Sequence, residues 1–200
     1  MSRGTDAELS AFLRVATWFE GSLVVLAFFI GWLSGLQPWA ELKFDLAAIG
    51  YGVAATIPLY LLFLCSYRAP LRQLESIRDF LIDRMGPLLH GCGRVQLAYL
   101  AVLAGVTEET LFRGVLQPLL ELHWGWSGGL IASNLLFALA HAITPLYAVL
   151  AGATGIYLGL SLDLTGERNL LVPMVIHALY DLLAFLVVAR AYRRRRSRVF

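Results

Sequence analysis

The stretch GVTEETLFR, residues 105–113, decides the fold because it places two adjacent carboxylates and an arginine inside an apolar segment. That segment runs from about Val95 to Leu120. On a helix that rises about 1.5 Å per residue, Glu108 lies roughly 20 Å from the Val95 end. The hydrocarbon core of a membrane is about 30 Å thick, so both glutamates fall at membrane depth. A charge there is costly unless it is paired or faces a wet cavity, which predicts a functional site inside a membrane-spanning helix.

Only one of the two glutamates in this stretch has an ion-pair partner within its own helix. Glu109 and Arg113 are four residues apart and share one helical face, so the spacing predicts an internal ion pair. Glu108 is rotated by about 100° from Glu109 and has no partner within its own helix. The unpartnered carboxylate is therefore the residue that the rest of the chain has to accommodate.

Composition places the chain among polytopic helical membrane proteins. Of its 200 residues, 58% are hydrophobic and only 15% are charged. The mean hydropathy of +0.69 agrees with this and argues against an ordinary soluble domain. Cys65 and Cys92 give neither a disulfide framework nor the spacing of a metal site. The terminal run of arginines is interpreted as a membrane-topology signal, and no nucleic-acid partner is expected.

Six apolar segments are long enough to be predicted as membrane-spanning helices. The third is expected to end near Gln117 and Pro118, and a short loop holding Glu121 and Trp126 is expected to follow it. The fold class is therefore all-α: a polytopic transmembrane helical bundle of about six spans plus an amphipathic surface helix. The predicted spans are residues 17–36, 46–66, 95–118, 127–143, 145–164 and 170–189.

Residues 67–94 have a different pattern from the spans. Arginines alternate there with acidic residues, and apolar residues recur at helical spacing. The pattern predicts an amphipathic helix on the membrane surface, although a solvated linker helix fits it equally well. We therefore divide the chain into an N-terminal region of two spans and this helix (1–94), a helical core (95–190) that holds the two glutamates, and a basic tail (191–200). The recurring apolar residues are Leu71, Leu74, Ile77, Leu81 and Met85.

The distribution of basic residues predicts how the bundle is oriented. With six spans and both termini inside, thirteen of the sixteen Lys and Arg residues fall on the inner side. Only Lys43 and Arg168 fall in outer loops, and Arg113 lies within a span. Positive residues accumulate on the cytoplasmic side of membrane proteins, so both termini are predicted to be cytoplasmic.

Further polar side chains at membrane depth lie on two other spans. Asn134, Phe137 and His141 share one face of the fourth span, and His177 and Asp181 share one face of the sixth. Each polar side chain among them would be costly if it faced lipid, so these polar groups are expected to converge with Glu108 on one wet cavity.

Hydrolysis is the chemistry that such a set of groups supports. A carboxylate in apolar surroundings is a suitable general base towards water near neutral pH. One histidine can help to hold that water, while a second histidine and a neighbouring polar group can stabilise an oxyanion. No serine or cysteine is paired with a base in the sequence, so a covalent nucleophile is not favoured.

Three short motifs follow one another on apolar helices. They are Glu108-Glu109-x-x-x-Arg113, Phe137-x-x-x-His141 and His177-x-x-x-Asp181. Together, over roughly residues 95–190, they resemble the CPBP family, which comprises the CAAX prenyl endopeptidases and the bacteriocin-processing intramembrane glutamic proteases. The resemblance implies a metal-independent endopeptidase without a cofactor. Its active site would lie inside the bundle, and its substrate would be a membrane-associated peptide or protein.

The resemblance also implies roles for individual residues. Glu108 would activate water together with His141. His177 and Asp181 would form the oxyanion hole. Many members of the family have asparagine at the last of these positions, and Asp181 must carry a proton in order to donate a hydrogen bond. The supporting residues would be Glu109, Arg113, Asn134 and Phe137.

The chain is short for the family, since six spans are fewer than the eukaryotic prenyl-protein enzymes are expected to have. It resembles more closely the bacterial members, which process peptides, handle C-terminal sorting signals or modulate other membrane proteins. A bacterial inner membrane is therefore the expected location.

Two other functions remain open from the sequence. The first is a non-catalytic membrane scaffold that keeps the family fold and binds partner helices. The second is a zinc-dependent metalloprotease with Glu108, His141, His177 and Asp181 as ligands, although the chain has no His-Glu-x-x-His helix.

Overall fold

The structure, a computed structural model, describes residues 3–197, and the side chains of residues 7–197. Within this range the chain is all helical and has no strand, which confirms the predicted fold class. The end of the predicted basic tail, including Arg198, lies outside the described residues. The helices are α1 (Arg3–Ser34), α2 (Leu46–Arg68), α3 (Arg72–Arg84), α4 (Gly86–Gly91), α5 (Arg94–Leu111), a π-helical turn (Phe112–Leu116), α6 (Gln117–Ala140), α7 (Pro145–Ser161) and α8 (Leu171–Arg196).

Within the described part of the chain, four helical runs are long and apolar enough to cross a membrane. They are Ala7–Ser34, Leu46–Arg68, Arg94–Ala140 and Leu171–Arg196. The third run is 47 residues long and folds back on itself, and α7 adds a shorter apolar helix. The number of crossings is therefore consistent with the predicted six.

The long run turns at Gly125, where φ is +70°. Glycine adopts this left-handed conformation without the steric cost that other residues incur. Beyond the turn the chain runs back along itself. The rings of Phe112 and Phe137 lie 5.0 Å apart, and Arg113 bonds to Asn134, so each pair is roughly symmetric about the turn. The run is therefore a helical hairpin with a first arm of residues 94–124 and a second arm of residues 126–140.

The loop predicted after Pro118 is wrong, because the first arm continues as a helix through this proline to the turn. The preceding π-helical turn explains the difference. Its extra residue shifts the hydrogen-bond register, so that the N–H of Gln117 donates to the carbonyl of Phe112. Pro118 then falls in the first turn of the following α-helix, where its missing N–H interrupts little.

The amphipathic segment also differs from its prediction, since it forms two short helices rather than one. Helix α3 ends at Arg84, and α4 begins at Gly86 with Pro87 in its first turn. The apolar face of α3 buries Ile77 and Ile82 against the bundle. On its polar side, Arg195 at the end of α8 donates to Asp83 and Asp79, at 2.8 and 3.2 Å. Packing and ion pairing thus hold α3 against the end of α8.

Helix α8 packs closely against α5, and a glycine makes this possible. A Cβ atom at Gly105 would lie 2.8 Å from the backbone nitrogen of Ala178 and 3.0 Å from the carbonyl oxygen of Met174. Only a residue without a side chain permits this approach. The contact falls one turn from Glu108 and Glu109, and it brings Glu109 within hydrogen-bonding distance of His177 on α8.

Candidate active site

Glu109 joins two helices at the centre of the bundle. Its side chain is 0% exposed, and its Oε1 atom accepts hydrogen bonds from Arg113 Nη1 at 3.0 Å and from His177 Nδ1 at 2.7 Å. The pair with Arg113 is the one that the four-residue spacing predicts. The hydrogen bond to His177 joins α5 to α8, and no local sequence pattern predicts it. Because a carboxylate only accepts, Nδ1 of His177 carries the hydrogen.

Arg113 extends this network to two more helices. Its Nη2 atom donates to Asn134 Oδ1 at 2.8 Å on the second arm and to the carbonyl oxygen of Gly155 at 2.6 Å on α7. Its guanidinium carbon lies 4.9 Å from the ring centroid of Phe137, within cation–π range. Asn134 and Phe137, the other two of the four residues predicted to play supporting roles, thus both contact Arg113.

Glu108 stands apart from this network and faces His141. Its Oε2 atom lies 3.7 Å from His141 Nε2 and has no hydrogen-bond partner among the described residues. The His141 ring is held by a bond of its Nδ1–H to the carbonyl of Phe137, at 2.9 Å, and by stacking on the Phe137 ring, at 4.3 Å. This separation is too long for a direct hydrogen bond, but it is short enough for one water molecule beside the two atoms to bridge them.

Asp181 completes the set on the other side of His177. Its Oδ2 atom lies 3.7 Å from His177 Nε2, one helical turn along α8. Glu108, His141, His177 and Asp181 all line one cavity of about 480 Å³. The structure therefore brings the four predicted site residues together, while their roles stay predictions. Within residues 7–197, no group of three or more His, Cys, Asp or Glu side chains is arranged to hold a metal ion.

The cavity extends from these polar groups towards the end of the bundle that carries α3. Most of the wall beyond the four site residues is apolar, and Arg78 and Tyr67 lie near its α3 end. The opposite end of the bundle is closed by a network around Arg168, which bonds Glu121 at 2.6 Å and Asp163 at 3.3 Å. The hydrogen bonds that Arg168 donates to Glu121 raise the pKa of the Arg168 guanidinium, so the arginine stays charged at all physiological pH.

Residues 93–183 match a family model described as type II CAAX prenyl endopeptidase Rce1-like. This segment, a little under half of the chain, is similar to that family. The match includes all four residues that line the cavity, and it confirms the resemblance inferred from the three motifs. Neither a curated protein nor a solved structure matches the chain. The Rce1-like segment and the apolar helices identify the chain as an integral membrane protein that carries a protease domain.

Sequence reasoning missed a third carboxylate, which lies outside the Rce1-like segment. Glu20 of α1 lines the same cavity, and its Oε2 atom accepts a hydrogen bond from Thr107 Oγ1 at 2.5 Å. The rule that selected Glu108 also applies to Glu20, which is an ionisable residue within the first apolar span. Tyr147 and Tyr180 also line the cavity and were not singled out, because tyrosines are common in membrane helices.

Replacing Arg113 by alanine is expected to destabilise the fold far more than Glu108→Ala does. Without Arg113, Glu109 loses its counter-charge, and Asn134 and Gly155 lose a donor. Breaking a buried pair in this way costs about 3–5 kcal/mol. Glu108 Oε2 has no hydrogen bond to lose. Thermal melting of both variants in the same detergent tests this expectation, and equal melting temperatures would contradict it.

Proposed function

We propose that the chain is a glutamic intramembrane endopeptidase in which Glu108 is the general base. The observation that carries the proposal is the gap of 3.7 Å between Glu108 Oε2 and His141 Nε2 in the cavity wall. With its Nδ1–H bound to the carbonyl of Phe137, a neutral His141 turns a lone pair on Nε2 towards that gap. A water molecule there would donate one hydrogen to Glu108 and the other to His141.

The proposed reaction moves one water molecule across the scissile peptide bond. Glu108 takes a proton from the water as its oxygen bonds to the carbonyl carbon, and the π electrons of the carbonyl move onto its oxygen. The resulting tetrahedral oxyanion collapses, the C–N bond breaks, and the nitrogen leaves with the proton that Glu108 holds. The products are a carboxylic acid and an amine, and neither a cofactor nor a covalent enzyme intermediate takes part in this scheme.

We place the oxyanion between His177 and Asp181. The bond from His177 Nδ1 to Glu109, itself tied to Arg113, supports this assignment because it fixes the ring with Nε2 directed to Asp181. To donate towards an oxyanion, Nε2 must carry a hydrogen and Asp181 must be protonated. Such donors are the usual means of stabilising a tetrahedral intermediate.

The substrate would be an apolar peptide segment embedded in or lying along the membrane. The cavity wall between the site and α3 supports this, because it consists mainly of large apolar side chains. A polar peptide would gain little binding free energy from such a wall. We further propose a bacterial inner membrane with both termini cytoplasmic. The cavity would then be reached from the cytoplasmic side, the side of α3. The apolar wall includes Leu59, Leu62, Phe63, Ile77, Leu81, Phe185 and Val188.

Glu108→Gln is expected to abolish proteolysis of a membrane-embedded reporter peptide while the protein still inserts and purifies as a folded species. Glutamine keeps the size of the side chain but cannot accept a proton from water. Glu167→Gln, at an exposed loop carboxylate far from the cavity, provides the matched control and should cleave at the wild-type rate. Cleavage by Glu108→Gln at a rate close to wild type would rule out the glutamic mechanism.

Substitutions of Asp181 separate the oxyanion role from that of a metal ligand. Asparagine has the same shape and always carries donors, so Asp181→Asn is expected to keep or raise activity and to extend it to higher pH. Asp181→Ala is expected to lose roughly 10²–10³ in rate, the usual cost of one oxyanion donor. An inactive Asp181→Asn, together with inhibition of the wild type by a zinc chelator that added metal reverses, would instead support the metalloprotease.

A reporter fused to the C-terminus tests the orientation. Because thirteen of the sixteen basic residues fall on one side of the six-span arrangement, a reporter that is active only in the cytoplasm should be active, and one that requires export should not. Export-dependent activity alone would overturn the proposed topology.

A further inference from the structure

Tyr147 occupies the first turn of α7, directly after the loop that follows His141. Its backbone N–H donates to Thr144 Oγ1 at 3.1 Å, which caps the helix and fixes the position of this turn. Leu150, Ala151 and Thr154 lie three, four and seven residues further on, and all of them line the cavity with Tyr147. One face of α7 is therefore a cavity wall, and Tyr147 lies at its N-terminal end.

The phenol of Tyr147 lines the same cavity as Asp181 and Glu108. Its hydroxyl forms no hydrogen bond with another described residue. Tyr157, ten residues further along the same helix, differs in this respect, since its hydroxyl donates to the carbonyl of Ala55 at 2.7 Å. The hydroxyl of Tyr147 is thus open to a ligand in the cavity, whereas that of Tyr157 is used to join α7 to α2.

The oxyanion side of the site lacks a donor that is present in every protonation state. His177 uses its Nδ1–H on Glu109, and Asp181 donates only when it is protonated. A phenol ionises only near pH 10 in water, so a tyrosine hydroxyl remains a donor throughout the physiological range. Tyr147 can supply the missing donor without taking up a proton.

Two other tyrosines line the cavity, and their surroundings are different. Tyr67 lies near the α3 end, and the ring of Tyr180 packs edge-on against Phe63 of α2, with centroids 5.9 Å apart. Tyr147 instead lies in the first turn of α7, only six residues after His141. It is therefore the tyrosine better placed to reach a substrate held at the site.

We propose that Tyr147 is a further catalytic residue, whose hydroxyl donates a hydrogen bond to the oxyanion of the tetrahedral intermediate. This inference rests on the proposed function, because it assigns a donor to the same reaction. The bond forms as negative charge develops on the former carbonyl oxygen, and it lapses when the C–N bond breaks and the carbonyl reforms. Tyr147 gains and loses no proton in the cycle.

Tyr147→Phe is expected to lower kcat by roughly 10²–10³, the usual effect of one oxyanion donor, and to change KM less than about twofold. Tyr157→Phe is the matched control, because it removes a hydroxyl from the same helix at a site outside the cavity. It should keep the wild-type kcat. Melting temperatures of both variants show whether the folded state is intact, and wild-type kcat in a folded Tyr147→Phe would overturn the proposal.

A transition-state mimic separates catalysis from a structural role. A peptide aldehyde made from the reporter sequence binds hydrolases of this kind as a tetrahedral hydrate. Its affinity for Tyr147→Phe should fall by the same factor as kcat/KM, while the affinity of an uncleaved substrate analogue stays unchanged. If both affinities fell together, Tyr147 would only shape the cavity. A loss of kcat in Tyr180→Phe rather than in Tyr147→Phe would also overturn the assignment.

Glu108→Gln, measured in the same series, distinguishes failure of the Tyr147 assignment from failure of the glutamic mechanism. If Tyr147→Phe cleaves at the wild-type rate while Glu108→Gln is inactive, the tyrosine assignment fails and the glutamic mechanism stands. If Glu108→Gln cleaves at the wild-type rate, the mechanism fails, and the role of Tyr147 fails with it.

Discussion

The ion pair between Glu109 and Arg113 is the interaction on which the rest of the structure depends. Both side chains are almost completely buried, and each also bonds to another helix, Glu109 through the same Oε1 atom and Arg113 through Nη2. Glu109 holds His177 of α8, while Arg113 holds the second arm of the hairpin and α7. A membrane offers no water to replace these bonds, so the helices must stay assembled for the charges to be satisfied. One pair of charges thereby fixes the relative positions of four helical segments.

This arrangement also explains how two adjacent glutamates take different roles. Neighbouring residues on a helix point about 100° apart. Once Glu109 faces the centre of the bundle, Glu108 must face elsewhere, and it faces the cavity. Glu109 also orients His177, so the buried ion pair directly positions one of the proposed reacting groups. In our proposal, substrate hydrolysis depends on Arg113 through geometry, although Arg113 does not touch the reacting atoms.

Sequence reasoning succeeded where a property depends on spacing along one helix. The Glu109–Arg113 pair and the shared face of Asn134, Phe137 and His141 follow from such spacing. It failed where a property depends on helix register or on contacts between distant segments. Pro118 was expected to end a helix, because nothing in the sequence indicates the π-helical turn before it. Tyr147 reaches the cavity only because α7 packs beside α8, which no local pattern encodes, whereas Glu20 was overlooked although it is an ionisable residue within an apolar span.

The central claim is that water activated by Glu108 attacks the peptide bond directly. A single turnover in water enriched in ¹⁸O, with enzyme in excess over the reporter peptide, tests this claim most directly. Our account predicts one ¹⁸O atom in the new carboxyl group of the product and none in the enzyme peptide that contains Glu108. Label in Glu108, with an unlabelled product, would mean that the carboxylate itself had bonded to the substrate carbonyl, and it would contradict the account.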